Sequence, residues 1–327
     1  MATLTPAIFP SLAAVQAAAT QLAAVMPPSR LVHDAGLSAA LGTEVWLKLE
    51  FENPTGSFKV RGAYTVLSGL TPEERARGVV ASSAGNHGLG VAYAAKAFGA
   101  PAMLFVPATA PQVKKAGIRA LGATVNENAP DYDAAMALAV AHAEREGLRF
   151  INPCLGVDLL AGQGTVALEI LAQLPTVQTV VICVGGGGLL GGMGAVLRTA
   201  APSVRILGAQ SVETAAMTRS VAAGRVIEIP STPTLADGLA GQIDAPALEI
   251  GQRCTDGLAL VSEAELGETI AWLFRERGWT VEGAGAVTVA AMRHGKFDRM
   301  DGPVCLVVSG RNIDSTRHQG LLAAYPG

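Results

Sequence analysis

The sequence predicts an α/β fold of two domains, each a twisted, mainly parallel sheet with helices on both faces, and three observations carry that prediction. From about residue 45 onward, short β-branched apolar runs alternate with longer segments of helical periodicity. Strands separated by helices need crossover connections, and these make parallel neighbours that are buried on both sides. The chain also has the size and composition for two such units: 327 residues, half of them hydrophobic and only 16% charged, with 38 glycines that follow no collagen-like period.

Taken in order, residues 12–25 are alanine-rich, carry Gln16 and Gln21 and lack a basic leader, so they read as an amphipathic helix and not as a signal peptide. Strand-like runs follow at Val45–Leu49, Val79–Ser82, Met103–Val106, Val177–Val184, Val204–Gln210, Leu258–Val261 and Val304–Ser309. Helical patterns fall between them at Val91–Phe98, Val113–Leu121, Tyr132–Glu146, Leu168–Leu174, Leu266–Arg277 and Ala286–Arg293. The strands form two series, one within about 53–151 and one in the remainder. The expected division is a large domain of 1–52 and 152–327 around a small domain of 53–151, because no repeat, low-complexity linker or charge run marks a flexible boundary.

Composition excludes several function classes. Lys and Arg number 24 against 27 Asp and Glu, a net charge of −3, and no basic cluster could track a phosphate backbone or an anionic membrane. The apolar runs are far shorter than the ~20 residues of a membrane helix, so the cytoplasm is the expected compartment. The four cysteines, at 154, 183, 254 and 305, show no paired spacing, and the five histidines form no i,i+4 pair. Disulfides, structural zinc and a catalytic metal are not expected.

Four segments carry chemistry. Asn53-Pro54-Thr55-Gly56 reads as a turn, with Ser57 a candidate N-cap that places Lys59 in the first turn of a helix. A cation there opposes the macrodipole, whereas a lysine converted to an imine does not suffer in the same way, and a desolvated lysine is a competent nucleophile. A solvated surface lysine is the plain alternative. Ser83-Ala84-Gly85-Asn86-His87 follows a strand and precedes a helix, so its small residues free N–H groups for an anion such as a carboxylate; an ordinary capped turn is the competing reading.

Gly185-Gly186-Gly187-Gly188-Leu189 follows the strand Val177–Val184 and opens a helix, a backbone suited to wrapping a phosphate. The stretch also satisfies G-x-G-x-x-G through Gly186, Gly188 and Gly191, so an NAD(P) oxidoreductase has to be weighed. That reading needs an acidic residue at the end of the next strand, where this chain has Gln210. Ser309, at the end of the last strand, falls at the carboxyl edge where open α/β sheets bind ligands, and its hydroxyl can meet a ring nitrogen.

With Ser57-Phe58-Lys59-Val60-Arg61-Gly62-Ala63 and Ser309-Gly310-Arg311-Asn312 added, these motifs resemble, in order and spacing, the threonine/serine dehydratase and serine racemase group of fold-type II (β-family) pyridoxal-5'-phosphate (PLP) enzymes, which share the tryptophan synthase β-like architecture. Supporting stretches are Thr109-Ala110-Pro111 with Lys114-Lys115, Ala161–Thr165, Leu235-Ala236-Asp237-Gly238 and Val281–Ala286. The resemblance implies Lys59 as the Schiff-base lysine, Asn86 on the cofactor's 3'-oxygen, Gly185–Gly188 with Leu189 around its phosphate, Ser309 on its ring nitrogen and Phe58 beside the ring. It implies Ser83, Ala84, Gly85, Asn86 and His87 for the substrate carboxylate, a large phosphate-binding and a small substrate-closing domain, and a homodimer. A neutral hydroxyl on the ring nitrogen favours expulsion of a β-substituent, so dehydration and deamination of a small β-hydroxy amino acid to a 2-oxo acid and ammonia is the implied reaction.

Three departures shape that expectation. Racemases of the group carry a serine where this chain has Ala84, and a methyl group returns no proton. Their cation site has an acid where this chain has Gln210, with Thr214 and Ala216 offering no carboxylate, so no activating cation is expected. Arg311 replaces the usual glycine: either it is solvated, or it favours a more polar or bulkier substrate of the 3-hydroxyaspartate, phenylserine or hydroxyectoine-derived type. The sequence ends at Gly327 without the regulatory domain of biosynthetic threonine dehydratases, so isoleucine feedback is not expected. A non-catalytic cofactor-binding relative is the remaining alternative.

Overall fold

In the computed structural model, which describes residues 4–297 and 302–326, ten strands form two sheets. The strands are β1 Leu31–His33, β2 Val45–Leu49, β3 Val79–Ser82, β4 Ala102–Pro107, β5 Thr124–Ala129, β6 Arg149–Phe150, β7 Thr179–Cys183, β8 Arg205–Ser211, β9 Gly257–Val261 and β10 Val304–Val308. The larger sheet has the order β1-β2-β10-β7-β8-β9 and the smaller β5-β4-β3-β6. Every pairing is parallel except that of β1 with β2, which closes one edge of the larger sheet. The α/β class with helices on both faces is as the alternation predicts.

The central strands β7 and β10 are buried at every residue, as interior parallel strands with helices on both faces must be. Their runs Thr-Val-Val-Ile-Cys and Val-Cys-Leu-Val-Val are continuous and apolar, which is why the sequence shows them plainly. Edge strands are less legible. β5 reads Thr-Val-Asn-Glu-Asn-Ala, is mostly exposed or half-buried, and carries no apolar signature. β1 and β6 are three and two residues long.

The smaller sheet draws all its strands from residues 79–150, whereas the larger one takes strands from both sides of that segment. Chain connectivity therefore crosses between the two sheets twice. Helices Lys59–Gly69 and Val157–Gln173 pack together at the junction. Gly62 and Gly162 meet so closely that a Cβ on Gly162 would lie 2.6 Å from the Arg61 carbonyl oxygen. Among the described residues, no helix is long and apolar enough to cross a membrane.

Candidate active site

Three adjacent strands of the larger sheet, β2, β10 and β7, release their chains at the same edge, and each release carries one of the predicted motifs. β2 leads into the loop before Lys59, β10 into Ser309, and β7 into the tetraglycine turn. The loops are tied to each other: Phe58 N–H donates to the Ser309 carbonyl at 3.1 Å, Ser57 and Gly310 form a short antiparallel bridge, and Arg311 N–H donates to the Gly56 carbonyl at 2.9 Å. This pairing brings Lys59 and Ser309 together although 250 residues separate them.

Lys59 is the first residue of the helix Lys59–Gly69. Its ammonium donates to the Pro153 carbonyl at 2.7 Å and sits 5.2 Å from the centre of the Phe58 ring. Ser57 is not the N-cap. Phe58 occupies that position without a side-chain bond, because the β-bridge to Gly310 turns Ser57 away from the helix axis. The Ser57 hydroxyl is left buried with no partner.

The tetraglycine turn is a cradle that side chains would fill. A Cβ on Gly186 would lie 2.6 Å from Cys154 Sγ, and one on Gly185 would lie 3.0 Å from Leu239 Cα. Gly187 has φ +90°, a left-handed conformation that glycine adopts without strain. The helix Gly188–Ala200 starts here, and Gly191 N–H reaches back to the Gly187 carbonyl at 2.7 Å, so the amides before Gly191 have no intrahelical acceptor. Free amides, a helix N-terminus and the absence of Cβ atoms suit a phosphate.

From the smaller sheet, β3 delivers Ser83–His87, and the helix begins at Asn86, five residues before the periodicity alone suggested. Gly85 N–H bonds Ser83 Oγ at 3.1 Å. His87 is buried with Nε2 3.0 Å from the Ile151 carbonyl, so Nε2 carries the proton and Nδ1 is an unspent acceptor. Burial, with the nearby Lys59 charge, pushes this imidazole down to about 3, so it is neutral at any working pH.

Asn86 spans the cleft. Its Nδ2 donates to Glu282 Oε1 at 2.6 Å, and its Oδ1 accepts from Asn312 Nδ2 at 2.6 Å. Ser309, buried, donates to the Ala284 carbonyl at 3.1 Å, so the ring-nitrogen role implied for it requires that hydroxyl to turn from Ala284. Asn312 belongs to the motif that carries Ser309 but had no role assigned to it, and Glu282 and Cys154 were not expected as neighbours of the site. Glu282 stood in a quoted stretch, directly before a glycine-rich helix start, and that placement was the available signal.

Two unspent buried polar atoms beside Lys59, a glycine cradle at a helix start and an amide spanning the cleft fit a cofactor with a phosphate, a ring and a carbonyl able to take an amine. The chain matches the family model described as pyridoxal-phosphate dependent enzyme over residues 24–310. It is 40% identical over 293 residues to the L-threonine ammonia-lyase of Thermotoga maritima, covering 89% of this chain and 72% of that protein. Among solved structures it is similar to maize serine racemase, with a TM-score of 0.90 at 27% identity over 96% of this chain and 99% of that one. The processed form of threonine deaminase isoform 2 from Solanum lycopersicum gives 0.87 at 29% identity, over 99% and 93%. With the model matched across most of its length and the fold shared nearly end to end, this chain belongs to the family of pyridoxal-phosphate dependent enzymes.

Proposed function

We propose that this enzyme removes the β-hydroxyl and the amino group of a small β-hydroxy amino acid, threonine or serine, releasing a 2-oxo acid and ammonia. The observation that carries this reading is the convergence of Lys59, the tetraglycine cradle, Ser309 and Asn86 on one cleft, supported by relatives named threonine ammonia-lyase.

Bound pyridoxal phosphate supplies the electron sink that acidifies the α-carbon of the amino acid. The chain supplies the rest. Gly185–Gly188 and Leu189 would hold the phosphate with amides and the helix N-terminus, Phe58 would pack beside the ring, and Asn86 would offer its remaining N–H to the 3'-oxygen. Lys59 Nζ, held at the cleft by the Pro153 carbonyl, takes the α-proton as general base. Ser309, its hydroxyl turned from the Ala284 carbonyl, would meet the ring nitrogen with a neutral group, which favours β-elimination over transamination. Ser83–His87 bind the substrate carboxylate through small residues at a helix start, with neutral His87 adding no competing cation.

Ala84 argues against racemisation because it carries no proton. At Gln210 the amide is consumed internally: Nε2 donates to the Thr214 carbonyl at 2.6 Å, and Oε1 accepts from Thr218 N–H and Oγ1. So engaged, Gln210 offers no carboxylate to an activating cation or to a dinucleotide ribose, which supports activity without an added cation. Further parts of the same proposal are a small domain of 53–151 that closes on substrate, a homodimer and a cytoplasmic setting.

The test is a panel of L-threonine, L-serine, 3-hydroxyaspartate and phenylserine read by 2-oxo acid formation, with Lys59→Ala as control. Release from threonine or serine that falls by at least about a thousandfold in Lys59→Ala supports the reading; no keto acid from any of the four overturns it. Arg311 is exposed, and its backbone N–H fixes it to the loop before Lys59. If Arg311→Gly leaves the order of the four substrates unchanged, a substrate-selecting role for this guanidinium fails.

A further inference from the structure

Glu282 is 4% exposed and forms no ion pair among the described residues. It is the last residue before the helix Gly283–Arg293, its N–H donates to the Gly310 carbonyl at 3.1 Å, and its Oε1 accepts from Asn86 Nδ2. Gly310 lies against that carboxyl so closely that a side chain there would overlap Oε1. Asn86 is held from its other side by Asn312, whose Nδ2 also donates to the Thr55 carbonyl at 2.8 Å. One relay therefore runs from Glu282 through Asn86 and Asn312 to the loop before Lys59, joining three segments of the larger-sheet side to one helix start of the smaller.

The bookkeeping of that relay is restrictive. Asn86 Oδ1 is used by Asn312 and one Nδ2–H by Glu282, leaving a single N–H whose direction is fixed by both partners. Resting on the functional reading above, we propose that Glu282 is a positioning residue of the reaction: it aims the free N–H of Asn86 at the cofactor's 3'-oxygen, and its own charge state is felt by the bound cofactor through that amide. A neutral carboxyl accepts the Asn86 bond without placing charge beside the 3'-oxygen. A carboxylate places a full negative charge one hydrogen bond away in a dry site, where such a charge acts strongly.

The surroundings allow that charge to change in the working range. Burial pushes Glu282 up to about 7 against the Asn86 bond, with Asp237 on the overlying loop adding to the rise and Lys114 and Lys59 opposing it. Two further cleft groups stay silent there: His87 is neutral, and burial pushes the Cys183 thiol, behind Ser309, up to about 11.

The experiment uses the chain loaded with pyridoxal phosphate and follows the absorbance of the bound cofactor from pH 5.5 to 9, together with its equilibrium dissociation constant. In the wild type, the spectrum should show a transition near pH 7. Glu282→Gln, which still accepts the Asn86 bond, should lose that transition while keeping cofactor affinity within about threefold. Glu282→Ala should weaken affinity by about tenfold, the scale of one lost hydrogen bond to a charged or buried group. An unchanged transition in Glu282→Gln overturns the inference whatever becomes of Glu282→Ala, as does the absence of any transition in the wild type. A wild-type chain that takes up no pyridoxal phosphate at all sinks the functional reading itself, a different and distinguishable result.

Discussion

Glu50 and Glu282 are the same side chain, equally cut off from water, and they titrate in opposite directions. Glu50 sits behind Lys59, in a cluster where Arg61 donates Nε to Glu50 Oε2 at 2.7 Å and Nη2 to Glu50 Oε1 at 2.9 Å. Arg61 also grips Glu169 with Nη1 at 2.6 Å and Nη2 at 3.0 Å, and Lys48 donates to Glu169, Gln173 and the Ser29 carbonyl. Burial alone would raise Glu50, but the Arg61 guanidinium outweighs it and holds the carboxyl below its usual range. Glu282, in front of Lys59, has an amide and only unpaired, more distant lysine charges to answer burial, and it rises. Two positive and two negative charges cancel behind the catalytic helix, and a nearly uncompensated carboxyl lies across the cleft. One arrangement fixes the helix that carries Lys59; the other leaves a group free to change charge beside the chemistry.

The largest effect that could break this contrast is removal of Arg61. Arg61→Met leaves Glu50 in the interior without a cation and Glu169 with Lys48 alone, and the expected loss is about 3–5 kcal/mol of unfolding free energy in a denaturant titration. A loss under about 1 kcal/mol would mean that water or a shifted side chain already compensates those carboxylates.

The next effect reads the opposite sign on Glu282. Its pKa in the fold lies above that of the unfolded chain, so the native state binds the extra proton and stability contributed by this group falls as pH rises from about 4.5 to about 7. Glu282→Gln removes that slope, and its stability relative to wild type should rise by on the order of 2 kcal/mol between pH 5 and 8. Parallel pH curves for the two proteins would place the titration elsewhere. His87 has the reverse sign: its lowered pKa makes stability fall as pH drops below about 6.5, so His87→Gln should flatten the acid limb.

The smallest effect is a control. Arg149 and Asp158 form a pair in which both side chains are more than a third exposed, and Asp158→Asn should change stability by less than about 1 kcal/mol. A cost close to that of Arg61→Met would show that burial is not what separates these pairs.

How much of this was legible beforehand follows the same physics. β7 and β10 announce themselves because strands covered on both faces have to be apolar throughout, while β5 at a sheet edge tolerates Asn and Glu and stays hidden. The glycine turn and Lys59 were visible because a cradle without Cβ atoms and a lysine at a helix start are local features. Ser57 misled as an N-cap because its real partner, Gly310, lies at the other end of the chain. Asn86, Asn312 and Glu282 each stood in a motif, but their pairing did not show, since Glu282 and Asn312 are 196 and 226 residues away from Asn86.

The sequence by itself determined the α/β class, the strands and helices of the interior and the order of the four motifs, because these depend on periodicity and on short-range turn chemistry. Tertiary structure alone decided which carboxylate is ion-paired and which is not. Lys48, Glu50 and Arg61 lie close together in the chain, yet only the helix Val157–Gln173 brings Glu169 to complete their charge balance. Glu282 has no such cation, because the chain that folds over it offers Asn86, and an amide hydrogen bond cannot repay the hydration a buried carboxylate loses.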